Sequence, residues 1–258
     1  MKIIDTHSHI YSEEFDNDIE EVILRAKQAG VETILLPNID VDSIGRLHNI
    51  AGKYADYCIP MMGLHPTSVG EDWLSQLEII KQQFSKRSYI AIGEIGLDLY
   101  WDKTYEKEQR QAFEEQLHWS IAYDLPVAIH SRDAILECVE CIKNVGPEKL
   151  RGVFHSFGGS ENELVEILGL ENFLLGINGV ITFKNSTLST VLKQVDLSKI
   201  IIETDSPYLA PVPYRGKRNE SSYTIKVVEK LAEIFGLSLN EVGEITTENA
   251  IKLFGLKK

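Results

Sequence analysis

The first residues in the chain whose types and spacing can do chemistry are the paired histidines of Asp5-Thr6-His7-Ser8-His9-Ile10. In an extended segment residues two apart face the same way. His7 and His9 can therefore offer neutral imidazoles to one divalent cation, while Ser8 faces the opposite side. Glu94 closes an apolar run, Ile90-Ala91-Ile92-Gly93-Glu94, that holds no Lys or Arg to neutralise it. A carboxylate has two oxygens and can bridge two cations, which a neutral imidazole cannot do. His130 and His155 end two further apolar runs, and Glu203 and Asp205 share a face at the end of another, before Pro207. Four imidazoles, a Glu able to bridge and a terminal Asp suffice for two divalent cations with open positions. Two such ions ~4 Å apart would activate a water and clamp the oxygens of a displacement at carbonyl or phosphorus. Asp205 can hold one ion and also accept the proton of that water.

These residues need elements to position them. Apolar runs of strand length fall at residues 3–9, 32–37, 57–63, 89–94, 126–130, 152–155, 173–177 and 199–204. Several are continuous aliphatic and β-branched runs, as expected of parallel strands covered on both faces. Helical stripes lie between them. Ile19, Val22, Ile23 and Ala26 share a face ahead of Gly30 as C-cap. Phe113, Leu117 and Ile121 mark a helix that Thr104 would cap, and Ser238 with Glu241 has capping-box spacing. Eight such βα units predict an α/β fold, a single-domain (β/α)8 TIM-type barrel over residues 1–258. A doubly wound open sheet is the alternative, because periodicity does not show whether the sheet closes. Five of the seven histidines, His7, His9, His65, His130 and His155, fall at or just after predicted strand ends, where barrels carry their chemistry. His48 and His118 lie in helical stretches and read as structural or exposed.

The 258 residues carry 26 basic and 39 acidic side chains, a formal charge of −13. That balance argues against a nucleic-acid coat or a basic membrane-surface protein. A nuclease stays compatible with it, because metal ions can neutralise phosphate inside an acidic site. No segment approaches the ~18 apolar residues of a membrane span. The N-terminus turns polar too early for a signal-peptide core, and three cysteines cannot all pair. The expectation is a cytoplasmic monomer with no obligate protein partner. Cys138 and Cys141 have redox or zinc spacing but fall in a predicted helix, with only Cys58 elsewhere, so they read as a helix-face pair. Arg215, Lys217 and Arg218 follow the last strand as either a phosphate-binding rim or a solvated run. Tyr100 and Trp101 could stack on a nucleobase or pack the loop over the barrel.

The ordered set Asp5–Ile10, Gly63-Leu64-His65-Pro66, Gly93–Asp98, His130–Ala134, His155–Gly159, Glu203–Pro211 and Pro213–Asn219 resembles the TatD-related deoxyribonucleases of the amidohydrolase superfamily. The resemblance spans nearly the whole chain. It implies metal-dependent hydrolysis of DNA, commonly as a 3′-end exonuclease. It also implies that His7, His9, Glu94 and Asp205 ligate one metal, and that Glu94, His130 and His155 ligate the other. His65, Arg132, Arg215, Lys217 and Arg218 would then contact phosphate or nucleotide, with Glu203 behind the ligands. Ser156 stands where relatives often have cysteine, and Ser221 where proline often follows; neither position is a proposed ligand.

Two other functions fit parts of the pattern. A small-molecule amidohydrolase could use the same barrel, although many dinuclear members bridge their metals with a modified lysine where this chain has Glu94. A non-catalytic metal-binding scaffold would bind metal without turnover. The cations could be Mg²⁺, Mn²⁺, Zn²⁺, Co²⁺ or Ni²⁺: histidine ligands favour the softer ions, whereas nucleases of this kind often work with Mg²⁺.

Overall fold

A computed structural model describes residues 1–257. Among them eight strands alternate with helices: β1 (Ile3–Asp5), α1 (Ile19–Gln28), β2 (Val31–Leu36), α2 (Ile44–Lys53), β3 (Cys58–Pro60), α3 (Trp73–Gln83), β4 (Ile92–Asp98), α4 (Glu106–Tyr123), β5 (Val127–Arg132), α5 (Ile135–Val145), β6 (Gly152–Phe154), α6 (Glu161–Leu168), β7 (Phe173–Ile177), α7 (Leu188–Val191), β8 (Ile200–Ile202), α8 (Thr224–Phe235) and α9 (Leu239–Phe254). All the pairings are parallel, in the orders β1-β2-β3 and β4-β5-β6-β7-β8. Two isolated parallel bridges complete the ring: Met62 with Ile92 joins β3 to β4, and Ser8 with Ser206 joins the segments beyond β1 and β8. Across this last seam Thr6 N–H donates to Ile202 O (3.1 Å), Asp205 N–H to His7 O (2.9 Å) and His9 N–H to Ser206 O (2.7 Å). The expected barrel forms, and the open sheet does not.

Side-chain alternation explains how the ring is filled and what it exposes. Ile4, Leu35, Met61, Ala91, Ala128, Val153 and Ile201 make a cluster inside the barrel, closed below by Ala250, Leu253 and Phe254 of α9. The alternate residues, such as Ile34, Ile129, Phe154 and Ile202, pack outward against the helices. Two residues above Ala128, Val153 and Ile201 stand His130, His155 and Glu203. The parity that fills the barrel floor therefore delivers these three to its mouth.

Several boundaries differ from the sequence-based expectation. β1 stops at Asp5, so His7 and His9 lie beyond it, and Ser8 turns to the seam, with its Oγ 2.6 Å from Ser206 Oγ, instead of facing the helices. β4 runs on to Asp98 because Ile95–Asp98 pair with Ile129–Arg132 of β5. Its register shifts between Ile92 and Ile95, where the Gly93–Glu94 backbone bonds instead to Asn38 beyond β2. Gly96 allows this close pairing: its φ is +137°, and a Cβ there would collide with the His130 carbonyl. α4 starts after Tyr105, not at Thr104, whose N–H bonds to Asp102 Oδ1 (2.8 Å). The Ser238/Glu241 capping box forms as expected and is worth about 1 kcal/mol. Gly30, φ +89°, follows α1 one residue after the cap at Ala29.

No helix among the described residues is long and apolar enough to cross a membrane. The three cysteines are free and buried, and Cys138 and Cys141 lie on the buried side of α5. Burial pushes the thiols of Cys58 and Cys141 up to about 12, and that of Cys138 well above its usual range. Since the thiolate is the reactive form, iodoacetamide near pH ~8 should leave all three unmodified in the native protein and label all three in denaturant. Mass spectrometry reads the outcome; fast native labelling at Cys138 or Cys141 would show that α5 opens.

Candidate metal centre

At the C-terminal mouth of the barrel, five imidazoles and two carboxylates converge. Glu94 is at the centre, and its two oxygens face different neighbours. Oε2 lies 3.0 Å from His7 Nε2 and 3.6 Å from His9 Nε2. Oε1 lies 2.9 Å from His130 Nδ1, 3.3 Å from His65 Nε2 and 3.9 Å from His155 Nε2. Asp205 Oδ1 sits 3.5 Å from His9 Nε2, 3.6 Å from His155 Nε2 and 3.9 Å from His7 Nε2. Its side chain is 15% exposed against 3% for Glu94, so Asp205 is the carboxylate that reaches toward solvent.

The outer nitrogen of most of these rings has a partner that sets the tautomer. Tyr11 donates its hydroxyl to Pro37 O (2.6 Å), so it accepts from His9 Nδ1 (3.0 Å). His130 Nε2 donates to Asp98 Oδ2 (2.8 Å), and Glu203 Oε1 lies 2.9 Å from His155 Nδ1. A carboxylate only accepts, so in the neutral rings of His9 and His130 the proton is held on the outer side and a lone pair points inward, the state a metal needs, whereas His155 Nδ1 makes no hydrogen bond despite its closeness to Glu203. His65 is the reverse. Its Nδ1 accepts from Thr67 N–H (3.1 Å), which leaves the neutral ring's proton on Nε2, facing the cluster as a donor. The outer nitrogen of His7, Nδ1, is buried with no hydrogen-bond partner among the described residues.

Backbone geometry supports this shell. Glu203 also accepts from Ser156 N–H (2.6 Å), and Gly176 of β7 leaves room for it, because a Cβ there would collide with the carboxylate. Asp5 accepts from Thr204 N–H (2.9 Å) and Thr204 Oγ1 (2.7 Å), which ties the His7 and Asp205 segments together. Burial raises the Asp5 carboxyl to about 7 against these bonds.

The electrostatics test whether these residues fit a cation. Burial opposes charge on Glu94, yet His65, His7, His155 and His130 outweigh it and hold the carboxyl well below the usual range. Burial likewise opposes a charged His155, but Glu203, Asp205 and Glu94 push that ring up to about 10. Burial and the charge of His155 lower His7, whose ring is stacked on His155 at 3.4 Å between centroids. Three enclosed carboxylates thus draw protons onto closely packed imidazoles, and among the described residues no Lys or Arg forms an ion pair with any of the three. Divalent cations suit this donor set, since they would supply the missing positive charge without crowding protons onto adjacent rings.

The remaining sequence-derived residues are dispersed. Arg132 is exposed, with its guanidinium 4.0 Å from the Tyr100 ring centroid and 5.1 Å from that of Trp101. Arg215 and Lys217 are exposed, Arg215 lying 3.7 Å over the Phe183 ring. Arg218 is not a free cation: it pairs with Asp18 through two 2.7 Å contacts and covers Phe15. His48 bonds to the Tyr89 hydroxyl (2.7 Å), and His118 is exposed, both away from the cluster. Residue types alone did not reveal Tyr11, Thr67 and Asp98. Asp98 had a signal in its place within Gly93–Asp98, four residues after Glu94.

Residues 4–255 match the family model described as TatD related DNase. The chain is 38% identical to the uncharacterized metal-dependent hydrolase YabD of Bacillus subtilis, covering 98% of both proteins. It is 31% identical to the 3′-5′ ssDNA/RNA exonuclease TatD of Pectobacterium carotovorum, covering 98% of this chain and 100% of the other. The crystal structure of YjjV, a TatD homologue from Escherichia coli K12, superposes with a TM-score of 0.92 at 29% identity, covering 99% and 98% of the two chains. On these matches, which run almost end to end, the chain belongs to the TatD related DNase family.

Proposed function

We propose that this protein is a divalent-metal-dependent hydrolase that cleaves DNA phosphodiester bonds from a strand end. The observation that carries the reading is the buried array around Glu94, in which Glu94 and Asp205 meet five imidazoles, with Glu203 behind His155, and no Lys or Arg among the described residues pairs with any of the three carboxylates. His7, His9, Glu94 and Asp205 would hold one cation, and Glu94, His130 and His155 a second. When bound, such cations supply Lewis acidity toward water and phosphate. The nuclease relative at 31% identity supports the choice of phosphodiester over a small amide or lactone.

The chain's own groups divide the remaining work. Asp205, the more open carboxylate, accepts the proton of the attacking water. His65 donates from Nε2 to an oxygen of the phosphate. Glu203 and Asp98 fix the rings of His155 and His130, while Arg132, Arg215 and Lys217 meet phosphates away from the bond that breaks.

The test is a survey of end-labelled single-stranded and duplex DNA, RNA and p-nitrophenyl esters against Mg²⁺, Mn²⁺, Zn²⁺, Co²⁺ and Ni²⁺. Stepwise shortening of a DNA strand is expected, abolished by EDTA and restored by added ion. Full turnover in metal-free protein, or turnover of esters alone, overturns the reading.

Asp205→Asn keeps the shape but removes the proton acceptor. Single-turnover cleavage should fall by ~10²–10⁴-fold while metal analysis still finds the ion held by Glu94, His130 and His155. Glu94→Gln, which removes the shared charge, should lose metal and activity together and recover partly in excess ion. Near-native turnover of Asp205→Asn would move the base elsewhere.

Asp98→Asn should weaken metal binding by ~10–100-fold through His130 alone, measured by equilibrium dialysis. Unchanged affinity would mean that His130 needs no partner to keep its orientation.

A further inference from the structure

Beyond β4 the chain carries two aromatic side chains into solvent: Tyr100 is 53% exposed and Trp101 69%, the most exposed large apolar residue among those described. Large aromatics in water at the edge of a site mark a binding surface more often than a core. These two are not loosely held. Asp98 Oδ1 accepts from both Tyr100 N–H and Trp101 N–H at 3.1 Å, while its other oxygen bonds to His130. One carboxylate thereby fixes the aromatic pair relative to the cluster. The two rings meet edge to face, 4.9 Å between centroids, and the Arg132 guanidinium lies over both. Arg132 is itself placed by β4–β5 pairing with Asp98, two residues beyond His130. Trp101 also lines a cavity of about 100 Å³ together with Pro66 and Thr67, in the turn that follows His65.

An indole face, a phenol and a planar cation beside a phosphodiester site match one ligand chemistry, an unpaired nucleobase with its adjoining phosphate. We propose that Trp101, Tyr100 and Arg132 form a station for the nucleotide next to the scissile bond, with the base stacked on Trp101 and its phosphate on Arg132. This rests on the nuclease reading and extends it to the form of the substrate. In a duplex the base is paired and stacked on its neighbours, so its face is not free. The station selects single-stranded or frayed ends.

The experiment compares wild type with Trp101→Leu and Trp101→Phe on three substrates: a single-stranded oligonucleotide, the matching duplex and methyl p-nitrophenyl phosphate, which has no base. Circular dichroism checks that each variant folds, as an exposed side chain predicts. Trp101→Leu should lose ~5- to 100-fold in kcat/KM on the single strand, a loss at least several-fold larger than on the small ester, and Trp101→Phe should restore most of it. A phosphorothioate single strand, which resists cleavage, should quench Trp101 emission in wild type, and Trp101→Phe should remove that quenching. Equal losses on strand and ester, or rescue by no aromatic, would make Trp101 a structural residue and overturn the station. If wild type cleaves no nucleic acid under any ion, the nuclease reading itself fails, a result separate from the variant comparison.

Discussion

Glu94 places a negative charge where little water reaches it, and an isolated carboxylate in such surroundings would give up its charge. It keeps the charge because five imidazoles from four different points of the barrel ring turn toward it. Each has a defined approach: the Oε2 side is met from the segment after β1, and the Oε1 side from β5 and from the residues after β3 and β6. The second layer follows from the first. An imidazole useful to a metal must hold its proton on the far side, so Tyr11 and Asp98 are needed to fix that choice in His9 and His130. The register shift at Gly93–Glu94 is part of the same arrangement, since ordinary strand geometry would have left Glu94 out of phase with its neighbours.

Much of this was legible in the sequence because strand parity is a simple rule. His130, His155 and Glu203 stand two residues beyond interior residues, so their places at the ends of short apolar runs already put them at the mouth of the barrel. Parity was a weaker guide elsewhere. β1 ends at Asp5, and His7 and His9 meet at 3.3 Å through the turns of the seam with β8, not through a straight strand. The extension of β4 to Asp98 depends on a partner strand, β5, which no local pattern records. Nor did spacing reveal that Arg218 would pair with Asp18, because those residues lie 200 positions apart. Helix ends were read well where a capping box fixed them, as at Ser238, and poorly at Thr104, where Asp102 took the backbone bond instead.

The charge of the whole chain and the charge of its mouth answer different needs. The formal charge of −13 disfavours indiscriminate attachment to polyanions. Arg132, carried on paired strands over two aromatic rings, would under the reading proposed above draw phosphate to that rim of the barrel. Under that reading a polyanion would gain affinity there only where it can also offer something to the neighbouring rings.

The seam between the segments after β1 and β8 has a consequence for biosynthesis. Thr6 and Ile202, bonded across it, are 196 residues apart in the chain, and contacts of such separation form late because loop closure must precede them. While the protein is being made, His7 and His9 emerge early but have neither Asp205 nor Glu203 to complete their surroundings. A translation product that stops just short of the eighth strand carries all seven histidines but lacks Glu203 and Asp205. The cluster around Glu94 is therefore completed only when nearly the whole polypeptide has been synthesised.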